Sequence, residues 1–362
     1  LKIAILAHLK HPIRQPFLGG LEMHTHLLAR RLLARGHDVT LFAAEGSDPT
    51  IGTVAICPPT GEATGHAAHD AAIDTAEDAA YARMIDEVRR GGFDVVHNNS
   101  LHSLPLYRRD RLGAPMVSVL HTPPFDPLDG GMRDSAGDTT ILAVSRTLAA
   151  EWRDLVPGAI VVGNGIELAA FPFAPAPAPD THAFWSGRIV PEKGLHLAIE
   201  AARRAHMRLV FAGPRRTDSA YWQDEIAPRL GADTMDLGHL SQPALAVAIG
   251  RATAVLVTPR WEEPFGLVVA EAIACGTPVA GFRRGALADI LGGEAGRLAI
   301  PDDVDDLARA LREATGLKRA ACRARAEATL DAGTMIEAYE EAYRKAMRRR
   351  AQSPQLAAAG AA

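Results

Sequence analysis

The sequence predicts an α/β protein built from two Rossmann-like, doubly wound domains, each a parallel sheet with helices on both faces. Three observations carry this. Short β-rich runs alternate with longer helical stretches along most of the chain, and parallel neighbours need a crossover helix between them. The alternation falls into two series, separated by FPFAPAPAPD at 171–180. Its four prolines, Pro172, Pro175, Pro177 and Pro179, exclude a helix or a central strand. The length, 362 residues, is two domains' worth at roughly 150 residues each. The expected division is a first domain over 1–170, a stiff proline-rich linker over 171–181 and a second domain over 182–333. A C-terminal helix over 334–350, able to pack back on the first domain, and a frayed tail over 351–362 complete it.

The elements follow in order. Lys2–Ala7 reads as a strand, and Gly19 and Gly20 precede a helix running to about Arg35. Its buried stripe is expected at Met23, Leu27, Leu28, Leu32 and Leu33. Gly36 ends that helix and Val39–Ala43 resumes as a strand. Further strands are expected over Asp94–His97, Met116–His121, Thr140–Ser145 and Ile160–Val162. The second series gives strands over Ala183–Gly187, Leu209–Gly213, Thr234–Leu237, Ala254–Thr258 and Thr277–Ala280, with helices near 194–205, 217–229, 243–251 and 266–275. In such sheets ligands bind beyond the carboxyl ends of the strands, so two facing domains would make a central cleft.

Composition narrows the function classes. Hydrophobic residues are 48% and charged residues 23%, which fits a soluble globular chain and excludes wholesale disorder. A net charge of −4 supplies no basic field, so no nucleic-acid partner is expected. No apolar run approaches the ~20 residues of a membrane-spanning helix. The apolar burst Leu1–Ala7 lacks the flanks of a signal peptide, so a cytoplasmic location with at most peripheral membrane contact is expected. Cys57, Cys275 and Cys322 are odd in number and widely spaced, which excludes a disulfide scaffold and a zinc ribbon.

Several features read blandly. His24 and His26, two apart on a helix, point to different sides and make no metal pair. His66 and His69 lie in a stretch rich in Ala, Gly and Asp, read as a mobile loop and exposed helix. Asn98-Asn99-Ser100 matches a glycosylation sequon by accident and is placed on a cleft-lining loop. Arg108, Arg109 and Arg111, interrupted by Asp110, read as a solvated face, and Cys275 as a small buried thiol.

Two stretches carry chemistry. In RWEEPFGLVVAEAIACGTPVAGF (260–282) a strand ends, a loop presents Glu263-Pro264-Phe265-Gly266, and a helix starts at Gly266–Leu267. A helix start offers unpaired N–H groups to hydroxyl or phosphate oxygens. Glu271, eight residues after Glu263, could face the same cleft; a solvated Glu271 and a capping Glu263 are an equally good reading of this stretch alone. In SGRIVPEKG (186–194), Arg188 and Lys193 flank a strand-to-helix turn and can converge on one anion, a pairing suited to a diphosphate. By themselves they read better as solvated surface cations, one paired with Glu192.

EPFGLVVAE (263–271) resembles the E-x7-E signature of the retaining glycosyltransferases of family 4, which have the GT-B fold. GGLEMHTHLLARRLLARGHDVTLF (19–42), HT (121–122), VVGNGIELAAF (161–171), SGRIVPEKG, FAGP (211–214) and ACGTPVAGFRRGALADIL (274–291) resemble that family in the same order. The resemblance implies that Arg188 and Lys193 bind the donor diphosphate, that Glu271 accepts from ribose hydroxyls, and that Glu263 holds the donor sugar with the backbone of Phe265, Gly266 and Leu267. Gly19 and Gly20 would let the first loop close on phosphates or acceptor, and His121 would hydrogen-bond a sugar hydroxyl. It implies a retaining, metal-independent transfer with no cofactor, from a nucleotide-sugar co-substrate, UDP-linked on frequency, to a sugar, lipid-linked or small-molecule acceptor. A sugar-nucleotide epimerase or hydrolase, or a non-catalytic sugar-binding protein, are the alternatives.

Overall fold

The computed structural model describes residues 1–352 and divides into two compact units. The first takes Leu1–Gly163 together with the segment from Gly333 onward; the second is Asn164–Ala332.

The first unit holds a seven-stranded sheet: β1 (Lys2–Ala7), β2 (Asp38–Ala43), β3 (Thr53–Ala55), β4 (Val95–Asn99), β5 (Met116–Leu120), β6 (Thr140–Ala143) and β7 (Ile160–Val161). The order is β3-β2-β1-β4-β5-β6-β7, parallel throughout. Ile3 to Ala7 are all fully buried, as a central strand covered on both faces requires. Its helices are α1 (Gly20–Ala34), α2 (Ala67–Gly91), α3 (Ser103–Tyr107), α4 (Leu128–Ser135) and α5 (Arg146–Glu151). On α1 Leu27, Leu28 and Leu32 are buried, but Met23 and Leu33 are half-exposed and the N-terminal buried positions are polar: Glu22, His24 and Thr25. The exposed helix expected around His66 and His69 is the start of α2, where both histidines are exposed; further along, α2 buries Ile73, Ala80, Tyr81, Met84, Ile85 and Val88 at helical spacing. The sequon also corrects: Asn98 and Asn99 end β4, buried inside the sheet rather than on a loop. Arg109 is held by Asp134 and Asp138, both at 2.6 Å, beside exposed Arg108 and Arg111.

The second unit holds β8 (His182–Ser186), β9 (Arg208–Ala212), β10 (Thr234–Asp236), β11 (Ala254–Val257), β12 (Val279–Phe282) and β13 (Gly296–Ala299), in the order β10-β9-β8-β11-β12-β13, again parallel. Its helices are α6 (Leu195–Arg204), α7 (Gln242–Arg251), α8 (Leu267–Ala274), α9 (Leu287–Leu291), α10 (Val304–Ala314) and α11 (Arg319–Thr329). Trp185, Phe211, Phe282, Leu195, Ile199, Leu307 and Leu311 form its core. The helix expected near 217–229 is a π-helical turn, Tyr221–Ile226, running into a 3₁₀ turn, Ala227–Arg229. Pro228 lacks the amide that a continuing α-helix would use.

The proline-rich run is not a free linker. The chain passes into the second unit at Gly163/Asn164, and the run lies against that unit. Phe171 is fully buried, the Ala174 amide donates to the Cys275 carbonyl at 3.0 Å, and the Ala178 amide donates to the Arg251 carbonyl at 2.8 Å. The prolines lack donors, but the residues between them keep theirs and spend them on the domain.

The last helix, α12 (Ala332–Gln352), belongs to the first unit from Gly333 on. Met335, Ile336, Tyr339, Ala342, Tyr343 and Ala346 give it one continuous buried stripe. Ala351 and Gln352, expected in a frayed tail, are its last residues; the rest of that tail lies outside the described residues. Among the described residues no helix is long and apolar enough to cross a membrane.

Candidate active site

In the second unit the strand order reverses between β8 and β11, so the ligand crevice of a doubly wound sheet falls outside their carboxyl ends. The two connections leaving those strands meet there. The Trp185 indole N–H donates to Thr258 Oγ1 at 3.0 Å, and the Thr258 hydroxyl reaches the carbonyls of Lys193 at 2.8 Å and Gly194 at 3.0 Å. The Arg260 amide donates to the Glu192 carbonyl at 2.8 Å. Gly194 has φ +67°, and a Cβ there would lie 2.3 Å from the Thr258 carbonyl oxygen, so only glycine allows the two loops this approach.

This zipper delivers the central contact. Lys193 Nζ donates to Glu263 Oε2 at 2.7 Å, and the Trp261 indole N–H donates to the same oxygen at 3.0 Å. The ammonium also stands 4.8 Å from the Trp261 ring centroid, within cation–π range. Arg188 is half-buried on the β8 connection, with Nη2 3.8 Å from Glu192 Oε1. Ser186 Oγ, at the end of β8, is buried without a hydrogen-bond partner.

Gly266, with φ +95°, turns the chain into α8. Phe265 is buried and Leu267 half-buried, and the Glu263 carbonyl accepts from the Ala286 amide at 2.9 Å. Glu271 is not a solvated helix residue. It is 5% exposed, and burial pushes its carboxyl up to about 8. Cys275, one turn on, is likewise pushed up to about 12 by burial and is no nucleophile.

The first unit has its own reversal, between β1 and β4. Beyond β1, His8 Nε2 lies 3.4 Å from Glu22 Oε1, both side chains buried. Burial would raise the Glu22 carboxyl, but the hydrogen bond and charge of His8 outweigh it and hold the group below its ordinary value. A Cβ on Gly19 would come within 2.8 Å of Glu22 Oε2, the end of a flexible side chain, and Gly20 opens α1.

His121 follows β5 and is half-buried, with Nε2 2.8 Å from Asn99 Oδ1. The same oxygen lies 3.0 Å from His97 Nε2, and the Asn99 amide nitrogen 3.3 Å from Thr25 Oγ1. The Tyr343 hydroxyl of α12 is 2.8 Å from His97 Nδ1. His24 packs edge-on against His121, centroids 5.0 Å apart, and meets the Tyr339 hydroxyl at 3.3 Å. Burial holds His24 down to about 4 and His97 down to about 3; His121 lies well below its ordinary value for the same reason, with His24 and His97 adding to it. These rings are neutral at physiological pH.

Sequence reasoning left Trp261, Thr258, His97 and Tyr343 without roles, and put Asn99 on a cleft-lining loop rather than in the sheet. The signal for Asn99 was present: a central strand beginning Val95-Val96 and ending His97-Asn98-Asn99 puts polar groups where apolar ones belong. Elsewhere in the second unit, an apolar groove of about 460 Å³ beside α7 is lined by Met235, Leu237 and Val247 and holds none of the predicted site residues. Among the described residues no cluster of three or more His, Cys, Asp or Glu is arranged to hold a metal ion.

Residues 18–170 match the family model for Glycosyltransferase Family 4, and residues 171–329 that for glycosyl transferases group 1. Glycogen synthase of Mycobacterium tuberculosis is 30% identical over 389 residues, which cover 91% of this chain and 92% of that protein. The chain belongs to glycosyltransferase family 4. As a family 4 glycosyltransferase it is an enzyme, and the epimerase, hydrolase and binding-protein alternatives fall away. Solved structures agree on the GT-B class of two Rossmann-like domains. Sucrose-phosphate synthase from Thermosynechococcus elongatus superposes with a TM-score of 0.77 at 20% identity, covering 95% of this glycosyltransferase and 98% of that chain. Anabaena Alr3699/HepE, solved in complex with UDP and glucose, gives 0.74 at 17% identity, with 95% and 99% covered.

Proposed function

We propose that this glycosyltransferase moves a sugar from a UDP-sugar to a hydroxyl acceptor with retention of anomeric configuration and without a metal ion. The observation that carries the reading is the half-buried Lys193 ammonium, fixed at the reversal point of the second sheet against Glu263. An incoming diphosphate competes with Glu263 for that cation, and Arg188 adds a second. Glu263, released, holds sugar hydroxyls together with the backbone of Phe265, Gly266 and Leu267. Glu271 is protonated at neutral pH in the free enzyme, and ribose hydroxyls donating to it favour its ionised form. Gly19 and Gly20 let the loop after β1 approach phosphates or acceptor, and His121 accepts from a sugar hydroxyl. The UDP complex of the Anabaena structure supports the choice of base.

In the transfer, the bond from the anomeric carbon to the phosphate oxygen breaks with its electron pair left on the diphosphate. The acceptor oxygen bonds to the same face of the carbon and passes its proton to the departing phosphate oxygen. Lys193 and Arg188 stabilise the charge that builds on the leaving group, which is the work a divalent metal would otherwise do. The acceptor is a sugar, a lipid-linked sugar or a small molecule, and the enzyme is placed in the cytoplasm with at most peripheral membrane contact.

Thermal shift with UDP, GDP, ADP and their sugar conjugates, with and without Mg²⁺, tests the donor. A ligand that binds only the folded state raises the melting temperature with its concentration over Kd. UDP compounds are expected to stabilise equally with and without Mg²⁺. Stabilisation by no nucleotide, or only with Mg²⁺, overturns this reading, and a product of inverted anomeric configuration by proton NMR overturns retention.

A further inference from the structure

The polar cluster beneath His121 accounts for its protons one by one. The carboxamide oxygen of Asn99 can only accept, so both imidazoles that touch it do so through Nε2–H, at 3.0 Å from His97 and 2.8 Å from His121. His97 is neutral, so its Nδ1 carries a lone pair, and the Tyr343 hydroxyl donates to it at 2.8 Å. The Asn99 amide nitrogen then faces Thr25 Oγ1 at 3.3 Å. The opposite orientation of the amide would make His97 Nδ1–H the donor to Tyr343 and leave this buried hydroxyl hydrogen without an acceptor. The chain of donors therefore runs one way, from α12 through His97 to Asn99. On His121 it leaves Nδ1 bare, and no other hydrogen bond among the described residues occupies that atom.

We propose that Asn99 is a positioning residue, anchored through His97 and Tyr343 to the C-terminal helix, that fixes His121 in its Nε2-protonated form and presents Nδ1 as an acceptor for a substrate hydroxyl. This rests on the reading of His121 as a sugar contact given above. The chemistry follows from the ring: a neutral imidazole with Nε2–H tied down offers a lone pair on the opposite side and no second donor. It can orient a hydroxyl that donates and rejects a group that only accepts. Asn99 is 1% exposed, so it acts through His121 rather than on substrate.

The test is a double-mutant cycle with a spectroscopic readout. In ¹⁵N-histidine-labelled enzyme, two-bond proton–nitrogen correlation spectra, assigned with His121→Ala, are expected to show His121 with Nε2 protonated and Nδ1 bare. Asn99→Leu is expected to convert that signal to a mixture of tautomers. The same substitution should lower kcat with UDP-glucose about tenfold to hundredfold while KM for the donor changes less than about threefold. In the His121→Ala background it should add less than about twofold. Tyr343→Phe, which keeps the buried ring, is expected to give the same changes in weaker form and serves alone if Asn99→Leu does not fold. A His121 signal with Nδ1 protonated in the unsubstituted enzyme overturns the proposal. So does an unchanged tautomer in the folded variants, or losses that multiply with His121→Ala. Unimpaired turnover in His121→Ala instead overturns the sugar-contact reading, and the tautomer spectra still decide what Asn99 does.

Discussion

The ammonium of Lys193 sits 2.7 Å from Oε2 of Glu263, seventy residues away in sequence, because each stands on a connection leaving one of two neighbouring strands at the reversal point of the second sheet. Read from sequence, the two have separate duties, one toward phosphate and one toward sugar. In the structure each is the other's counter-ion. In the donor-binding role proposed above, the Glu263 carboxylate must be displaced before the Lys193 ammonium can serve an anion.

Lys193→Ala and Glu263→Gln should therefore act in opposite directions on nucleotide binding. Losing the cation is expected to weaken UDP binding tenfold or more and lower kcat about a hundredfold, or roughly 3 kcal/mol. Glu263→Gln removes the competing charge, so UDP should bind at least as tightly as before while sugar transfer falls. Titration calorimetry with UDP on both variants checks this. Equal weakening in the two would mean that the carboxylate does not compete.

Trp261 contributes twice to this pair, through its N–H to Glu263 and its ring under Lys193. Trp261→Phe keeps the ring and should cost about one net hydrogen bond, roughly 1 kcal/mol or fivefold in kcat/KM. Trp261→Ala removes the cation–π contact as well and should cost about another 1 kcal/mol. Steady-state kinetics on the two variants separate the contributions, and equal losses would assign everything to the N–H.

Glu271 makes the stability of the second unit depend on pH in a defined window. Its folded-state carboxyl is raised by burial from 4.5 to about 8. Below about 4.5 the group is protonated folded or unfolded and costs nothing extra. As pH climbs toward 8 the unfolded chain releases the proton and the folded chain does not, so stability falls across that interval and levels off above it. Glu271→Gln removes the dependence. Its melting temperature should match that of the unsubstituted enzyme at pH 4.5 and exceed it by several degrees at pH 8.5, as calorimetric scans at the two pH values would show.

How much of this the sequence disclosed depended on whether the signal was local. β1, an unbroken apolar run, and α8, announced by Pro264 and Gly266, lie within a residue or two of where pattern alone puts them. β3 and β13 are edge strands of three and four residues whose identity comes from the neighbour they pair with, and no periodicity announces them. The prolines at 172–179 look like a boundary because proline lacks a donor, yet their neighbours' amides bind the second unit and the boundary moves to Gly163. Lys193, Glu263 and Glu271 were visible as residues of a motif. Their pairing, the indole beneath them and the desolvation of Glu271 are properties of tertiary contact that spacing does not encode. Asn99, His97 and Tyr343 come from two strand-end positions and a helix about 250 residues later in the chain, so their line of hydrogen bonds could be seen only in three dimensions.

Glu340 ties α12 to the first unit. Its carboxylate accepts Arg35 Nε at 2.8 Å and Nη2 at 3.0 Å, and His37 Nε2 at 2.9 Å, with Arg344 at 3.3 Å on its own helix. The hydrogen bonds from Arg35, with those of His37, outweigh desolvation and hold the carboxyl down to about 2. A depressed carboxyl lends its stabilisation fully above its unfolded value, 4.5, and loses it as pH falls toward 2. Glu340→Gln keeps the shape but not the charge, and should loosen the helix by about 1–3 kcal/mol near neutral pH. Local opening free energies of that size change amide exchange about fivefold to hundredfold, so hydrogen–deuterium exchange of the α12 peptides should accelerate by that factor. Paired urea melts of the two proteins at pH 7 and pH 3 should show the gap between them narrowing at the lower pH. An exchange rate for α12 unchanged by the substitution would show that its apolar stripe alone, from Met335 to Ala346, holds the helix in place.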